Sequence, residues 1–419
     1  MSLSSNRLRG FLHYILATLL IYTSGSALTS TDAGYTIGGI MNAVIYVFIL
    51  ACFIIIFMHG KVPNRLFIML ALVLLFTLVE GVNYPSGIDG VFRRMILLWL
   101  MFVLAFEIDK LKIQFDRIIF NVIFWIACIS LVFFVLINLF HFQLPAMEIR
   151  QDTLVYKNYY FLFYTAERYK TGLLIGLPFY RLQGIFWEPG AFAVYLDLAL
   201  FYTLFIGYDD VKTKKKQQIL KIIVLLVAMT LTLSTTGLCI AVALVGIKLI
   251  ELFRGKSKIL MIIPTALIAG SIISAVWMQK KGISTNAWSS YNLRMNDMTN
   301  SLELWKENFL FGAGFKNTDS FEATIEGRGN SNGLLTWCYT MGLFGAIFLV
   351  FPFIRNAFNK DKNAVTQLLY CVVFLLVNMT EPIISSYFIV FLVAKEYNEY
   401  LKNTKKRHFN VKGLSNVRR

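Results

Sequence analysis

Apolar runs of roughly 17–25 residues recur along almost the whole chain, each long enough to cross a bilayer. Lipid offers the backbone no hydrogen-bond partners, so such runs fold as helices that satisfy their own N–H and C=O groups, or as closed barrels. Runs of this length predict spanning helices near 10–29, 39–58, 66–82, 92–108, 118–140, 185–207, 219–234, 237–253, 259–278, 333–354, 365–380 and 383–396. Of the 419 residues 57% are hydrophobic and only 15% charged. The intervals between runs leave no space for a soluble domain of about 100 residues. The expected fold is one integral membrane domain over residues 1–419, all-α and polytopic, with about twelve transmembrane helices. Arg7, Arg9 and the closing Ser24-Gly25-Ser26-Ala27 give the first run the look of a secretory signal. Its length and its place in a regular series predict a retained first helix.

The net charge of +16 invites a nucleic-acid partner, but its placement excludes one. With the N-terminus inside, the inner connections carry Lys61 and Arg65; Lys110, Lys112 and Arg117; Lys212, Lys214, Lys215, Lys216 and Lys221; Arg254, Lys256 and Lys258; and Arg355, Lys360 and Lys362. A basic tail follows over 397–419. The short outer connections near 30–38, 83–91, 235–236 and 381–382 carry no Lys or Arg. This segregation is the positive-inside pattern, and it predicts both termini in the cytoplasm.

Two connections are long, 141–184 and 279–332, and both fall outside. The first mixes Glu148, Arg150, Asp152, Lys157, Glu167, Arg168, Lys170 and Arg181 with many Tyr and Phe. The second holds Arg294, Asp297, Glu303, Glu307 and Arg328 among Trp288, Tyr291 and Trp305. Within it Arg294, Asp297 and Ser301 share one helical face, and Leu302, Trp305 and Phe309 another, which predicts an amphipathic helix on the outer surface. Long loops on a rigid scaffold are where function concentrates.

Several groups in these loops could carry chemistry. Arg181-Leu182-Gln183-Gly184-Ile185-Phe186-Trp187-Glu188-Pro189-Gly190 leads into the sixth span. An acid at the membrane edge is expensive to keep there, which makes Glu188 a candidate; the plain alternative is a structural ion pair with Arg181. If helical, the segment sets Arg181 and Glu188 on one face, although Pro189 permits a break. Phe311-Gly312-Ala313-Gly314-Phe315 allows close backbone approach to a ligand, or simply a turn. Asn330-Ser331-Asn332-Gly333 offers polar groups to sugar hydroxyls, or caps a helix. Asn378-Met379-Thr380-Glu381-Pro382 repeats the Glu-Pro pair at the membrane edge.

No P-loop, dinucleotide turn, HExxH or EF-hand loop occurs, and no Asp-x-Asp suits a metal and a nucleotide sugar. The five cysteines form no CxxC pair. No metal site and no cofactor are expected. Span centres read as almost free of charge, with Lys248 the nearest exception, and this argues against a transporter, which places charge near the midplane.

The long loop leading into R-x-x-G-x-F-x-E-P-G, the later R…W…FGAGF, and S-N-G-L-L…G-L-F-G resemble the O-antigen polymerase and ligase superfamily over about 140–385. The resemblance implies a membrane glycosyltransferase of C-type character in the bacterial cytoplasmic membrane. Its partners would be polyprenyl-diphosphate-linked oligosaccharides as donor and acceptor, membrane lipid, and a chain-length regulator. Arg181 and Arg294 would then grip the diphosphate, with Arg168 and Arg328 behind them, since guanidinium forks pair bidentately with phosphate oxygens. Glu188 would contact or deprotonate the acceptor hydroxyl, with Glu381 second, and Ser331 and Asn332 would bind sugar. Ligases of this kind carry His where Ser331 stands, which favours a polymerase over the ligase alternative. A lipid-linked-oligosaccharide flippase is the competing reading from another class.

Overall fold

The computed structural model describes residues 2–29, 34–59, 62–83, 87–151, 154–174, 177–207, 215–254, 270, 290–315, 317, 319–324, 329–358 and 364–416. Helices dominate: α1 Ser2–Thr23, α2 Gly34–His59, α3 Asn64–Asn83, α4 Gly87–Lys110, α5 Phe115–Phe134, α6 Pro189–Phe201, α7 Lys215–Thr232, α8 Thr235–Phe253, α9 Ser290–Glu307, α10 Asp319–Thr324, α11 Gly333–Ala357, α12 Ala364–Thr380 and α13 Tyr387–Asn416. Short π-helical turns, Val135–Leu139 and Tyr202–Ile206, extend α5 and α6. Among the described residues six segments are long and apolar enough to cross a membrane: Ile37–Ile55, Asn64–Gly81, Phe115–Leu139, Pro189–Ile206, Thr235–Phe253 and Gly333–Ala357. Gly10–Thr23 and Ala364–Thr380 are shorter apolar helices. The architecture is that of a mostly helical, multi-pass membrane protein. The span expected at 259–278 lies outside the described residues, apart from residue 270.

The mostly helical fold agrees with the sequence reading, and the long stretch 141–184 adds short strands to it. That stretch folds into β1 Met147–Gln151, β2 Leu154–Tyr159, β3 Phe163–Ala166, β4 Lys170–Leu174 and β5 Leu177–Tyr180. β1, β2 and β3 form an antiparallel sheet in sequence order, and β4 pairs with β5 as a hairpin. The last helix, α13, runs unbroken to Asn416 and so takes in most of the basic segment that begins at residue 397. Finally, 181–188 is not helical: α6 starts only at Pro189, and proline suits a first helical turn because its missing N–H would have had no partner there. Arg181 and Glu188 therefore share no helix face.

The chain divides into two compact units. The first comprises residues 1–42, 115–296 and 376–381. Its hub is α6, apolar all round apart from Asp197 and buried from Ala191 to Phe201, as expected of a helix enclosed by neighbours. It packs on α5, α7 and α8. Gly237 lets α8 approach closely, since a Cβ there would lie 2.8 Å from that of Ala193. The segment that reads like a signal cleavage site is built into this unit. Ala27 N–H donates to the Ile185 carbonyl at 2.9 Å, and the Tyr195 hydroxyl donates to the Ser24 carbonyl at 2.9 Å.

The second unit comprises residues 43–114, 297–375 and 382–419. Here α13 packs on α4, α11 and α3. Tyr397 sits among Phe102, Phe348 and Phe351, and its hydroxyl donates to the Phe348 carbonyl at 2.7 Å. Arg65 holds Asp109 at 2.6 Å, and Lys402 joins the same carboxylate.

Within this unit α11 is broken at Gly342, whose φ of 62° and ψ of −165° interrupt the helix. The freed backbone groups are met by the segment after α9. Leu343 N–H donates to the Phe309 carbonyl at 2.8 Å, while Ala313 and Gly314 N–H donate to the Tyr339 and Thr340 carbonyls at 2.9 and 2.8 Å. A broken helix survives at membrane depth only where protein supplies such partners. The glycines of Phe311-Gly312-Ala313-Gly314-Phe315 thus approach protein backbone, not a ligand: a Cβ on Gly312 would sit 2.4 Å from the Thr340 carbonyl group.

Candidate functional site

In the first unit, the segment 181–188 threads between the end of α7 and the start of α6. The last carbonyls of a helix lack partners within it. Here Leu182 N–H donates to the Leu231 carbonyl at 2.9 Å, Arg181 Nε to that of Thr232 at 2.8 Å, and Arg181 Nη2 to that of Leu233 at 3.2 Å. Arg181 therefore caps α7. Burial holds its guanidinium below the usual arginine value, and the nearby Glu188 opposes this.

Glu188 occupies the N-cap position of α6 in extended conformation. Trp187 Nε1 donates to its Oε1 at 3.2 Å, and the Trp187 carbonyl accepts the Tyr156 hydroxyl at 2.9 Å. Tyr169 lies near the Tyr156 phenol and the Glu188 carboxyl, and burial, with Glu188 adding to it, raises its pKa.

Glu381 comes to the same place from the residue that follows α12. Its side chain is 4% exposed, its carboxyl is within hydrogen-bonding reach of Glu188, and Arg294 Nη2 stands 3.7 Å from its Oε1. Burial first, and then the Glu188 carboxyl, push the Glu381 pKa well above the usual carboxylate range, with Arg294 and Arg181 pulling the other way. Burial and a neighbouring carboxyl thus both favour the protonated form of Glu381. Glycine at 190 makes the approach possible, because a Cβ there would fall 2.1 Å from Glu381 Oε1.

Apart from Arg294, the remaining sequence candidates fall elsewhere. Arg294 extends from α9 with 44% of its side chain exposed. Arg168 lies on the turn Glu167–Tyr169, exposed, at the rim of a groove on the β-sheet. Arg328 lies outside the described residues.

Ser331 and Asn332 belong to the second unit and are engaged with the protein itself. Ser331 N–H donates to Asp297 Oδ2 at 3.0 Å, and its hydroxyl donates to the same oxygen. Asn332 Oδ1 accepts from Leu335 N–H at 3.0 Å as the N-cap of α11. The helical face read as Arg294, Asp297 and Ser301 divides by burial: Arg294 is exposed, whereas Asp297 and Ser301 are fully buried. Asn330 joins the Ser301 hydroxyl at 2.7 Å and lines a cavity of about 220 Å³ with Phe315, Trp337, Thr336 and Thr340.

Sequence reasoning missed Tyr156, Tyr169 and Gly190. Nothing local marks the tyrosines, one in strand β2 and one on the turn Glu167–Tyr169; the Gly of Glu-Pro-Gly was visible, but not the carboxyl that needs it. Asp197 was passed over too. It lies midway along α6, 1% exposed, with Oδ1 lacking a hydrogen-bond partner among the described residues. Lys248, the exception noted in the sequence, pairs with Glu251 at 3.1 Å and lies over the Phe205 ring. Among the described residues no group of three or more His, Cys, Asp or Glu could hold a metal ion. Comparison with protein-family profiles and with curated proteins finds no match to this chain.

Proposed function

We propose that the chain is an oligosaccharide repeat-unit polymerase that joins polyprenyl-diphosphate-linked glycans at the outer face of the bacterial cytoplasmic membrane, with both termini in the cytoplasm and about twelve spans. The observation that carries the reading is the pairing of half-buried Glu188 with buried Glu381, whose Oε1 lies 3.7 Å from the Arg294 guanidinium. Glu381, the more buried acid, keeps its proton, and Glu188 serves as the base. The acceptor hydroxyl gives its proton to Glu188 as its oxygen bonds to the donor's anomeric carbon. The bond from that carbon to phosphate breaks, and its electron pair leaves on the lipid diphosphate. Arg294, half exposed, is placed to stabilise that charge by bidentate pairing. Arg181 is reassigned as a positioning residue, because its Nε and Nη2 already hold α7. Ser331 and Asn332 likewise shape the start of α11.

A deletion strain should carry surface glycan with single repeat units, and Arg294→Ala or Glu188→Gln should reproduce that ladder at normal protein level. A full-length ladder in both variants removes the assignment. One observation favours a second reading. An acid in the middle of a spanning helix marks a transport path by default, and Asp197 is such an acid. A flippase would lose all surface glycan on deletion, with lipid-linked units retained inside. A ligase would leave finished chains on their lipid carrier.

A further inference from the structure

The β-sheet of the first unit has two unlike faces. On one, Ile149, Tyr156 and Ala166 align across the three strands and are buried, as are Asn158 and Tyr164 beside them. This face is anchored to the segment leading into α6, with Tyr164 N–H donating to the Gly184 carbonyl at 2.9 Å and the Tyr156 hydroxyl to that of Trp187. On the other face a polar row crosses the strands in register, Glu148 opposite Lys157 and Lys157 opposite Thr165.

That row floors a groove of about 450 Å³. Its walls are Glu167 and Arg168 from the turn after β3 and Tyr180 from β5, while Leu154 and Val155 add an apolar strip. The volume lies within the roughly 300–1,000 Å³ of small-molecule sites.

Three features suit the groove to a ligand rich in hydroxyls. Thr165, one of the residues lining the groove, is 1% exposed, and its Oγ1 has no hydrogen-bond partner among the described residues. A buried hydroxyl without a partner is costly, and a ligand hydroxyl would satisfy it. The wall also alternates acceptors (Glu148, Glu167) with donors (Lys157, Arg168). Neighbouring sugar hydroxyls both give and take hydrogen bonds, so they match such a mixture, whereas a polyanion would need cations alone. Lastly, the walls are fixed. Tyr180 donates to Glu167, Glu167 pairs with Lys170 at 3.5 Å, and Asn138 holds the Tyr180 backbone by accepting its N–H at 2.8 Å.

The groove is linked to the carboxyl pair through one residue, because Tyr169 follows Arg168 and is close enough to Glu188 to feel its charge. We propose that this groove is an oligosaccharide subsite that holds the glycan beyond the reacting sugar. The proposal rests on the transferase reading and deepens it. Thr165 and Lys157 bind sugar hydroxyls at the floor, Leu154 and Val155 take the apolar face of a ring, and Arg168 contacts the bound chain, not the diphosphate.

The test uses the full chain in lipid nanodiscs, probed with an array of short neutral and acidic bacterial-type oligosaccharides. Wild type, the conservative Thr165→Ser variant and Glu381→Gln are expected to bind the same subset. The double variant Thr165→Val, Lys157→Gln is expected to bind it at least about tenfold more weakly, a loss of roughly one strong hydrogen bond. Wild type that binds no glycan, a double variant that binds like wild type, or binding that pyrophosphate alone displaces overturns the subsite. Glycan ladders of the same strains separate the two claims. If Glu188→Gln and Glu381→Gln abolish the ladder while the double variant leaves ladder and array unchanged, the groove proposal fails and the transferase reading stands. If the double variant loses array binding while both carboxyl variants make a normal ladder, the groove stands and the transferase assignment fails.

Discussion

Replacing Gly190 by alanine adds one methyl group at the point where the two carboxyls meet. The new Cβ would lie 2.1 Å from Glu381 Oε1 and 3.1 Å from its Cδ, whereas real Cβ contacts stay above 3.0 Å. The carboxyl must therefore retreat by about 1 Å, and Glu381, enclosed on all sides, has nowhere to go without moving its neighbours. Overpacking of this kind costs about 1–3 kcal/mol of stability. The functional loss should be larger, because a displacement of about 1 Å in a reacting constellation can cost roughly 10²-fold in rate. The expected result is a protein that inserts and accumulates, melts a few degrees lower in detergent, and yields a ladder collapsed toward single repeat units. Adding Glu381→Asp shortens the carboxyl by a methylene and should restore the melting temperature without restoring the ladder. A Gly190→Ala protein with wild-type melting and a wild-type ladder would refute both the close approach and its place in the chemistry.

Gly342→Ala should lower the melting temperature, because it adds strain at a φ of 62° and sets a Cβ 2.4 Å from the Leu310 carbonyl oxygen; the cost is about 1–3 kcal/mol or more. Arg181→Lys should destabilise by about 1–3 kcal/mol, since one ammonium cannot reproduce the fork that serves the Thr232 and Leu233 carbonyls; thermal melts with and without urea would read it. Glu381 has a raised folded-state pKa, so its contribution to stability is complete below the unfolded value near 4.5 and is lost as pH rises toward the folded one. Glu381→Gln should therefore flatten the fall in melting temperature above that pH, and an unchanged slope would contradict it. Asp197→Asn should leave the ladder intact if the chain polymerises, and should abolish surface glycan if the chain carries its substrate across the membrane.

The spans were legible because lipid leaves the backbone so few choices. Length and apolarity alone place α2, α3, α5, α8 and α11 within a few residues of their bounds. The β-sheet was hidden for a local reason. Hairpins usually announce themselves by Asn-Gly or Asp-Gly at positive φ, whereas Tyr160 and Phe161 turn this one at φ 56° and 61°. The signal lies two residues before that pair, where Asn158 Oδ1 accepts the Phe161 N–H at 2.8 Å and supplies the bond a tighter turn would make. The break in α11 was unreadable for a different reason. Gly342 looks like many glycines in spanning helices until the Phe309–Gly314 carbonyls and N–H groups, some thirty residues earlier, are set beside it. Arg181 shows the same limit on the site itself. Charge at a membrane edge earned it a place on the substrate, yet its partners are carbonyls at the end of α7 that no sequence pattern connects to it. Glu381 and Gly190 bring the cases together: each was visible as a membrane-edge Glu-Pro or Glu-Pro-Gly, but only their mutual approach turns two separate turns into one acid pair. Residue type could nominate the acids; long-range contact had to choose which arginine stands beside them, and it chose Arg294.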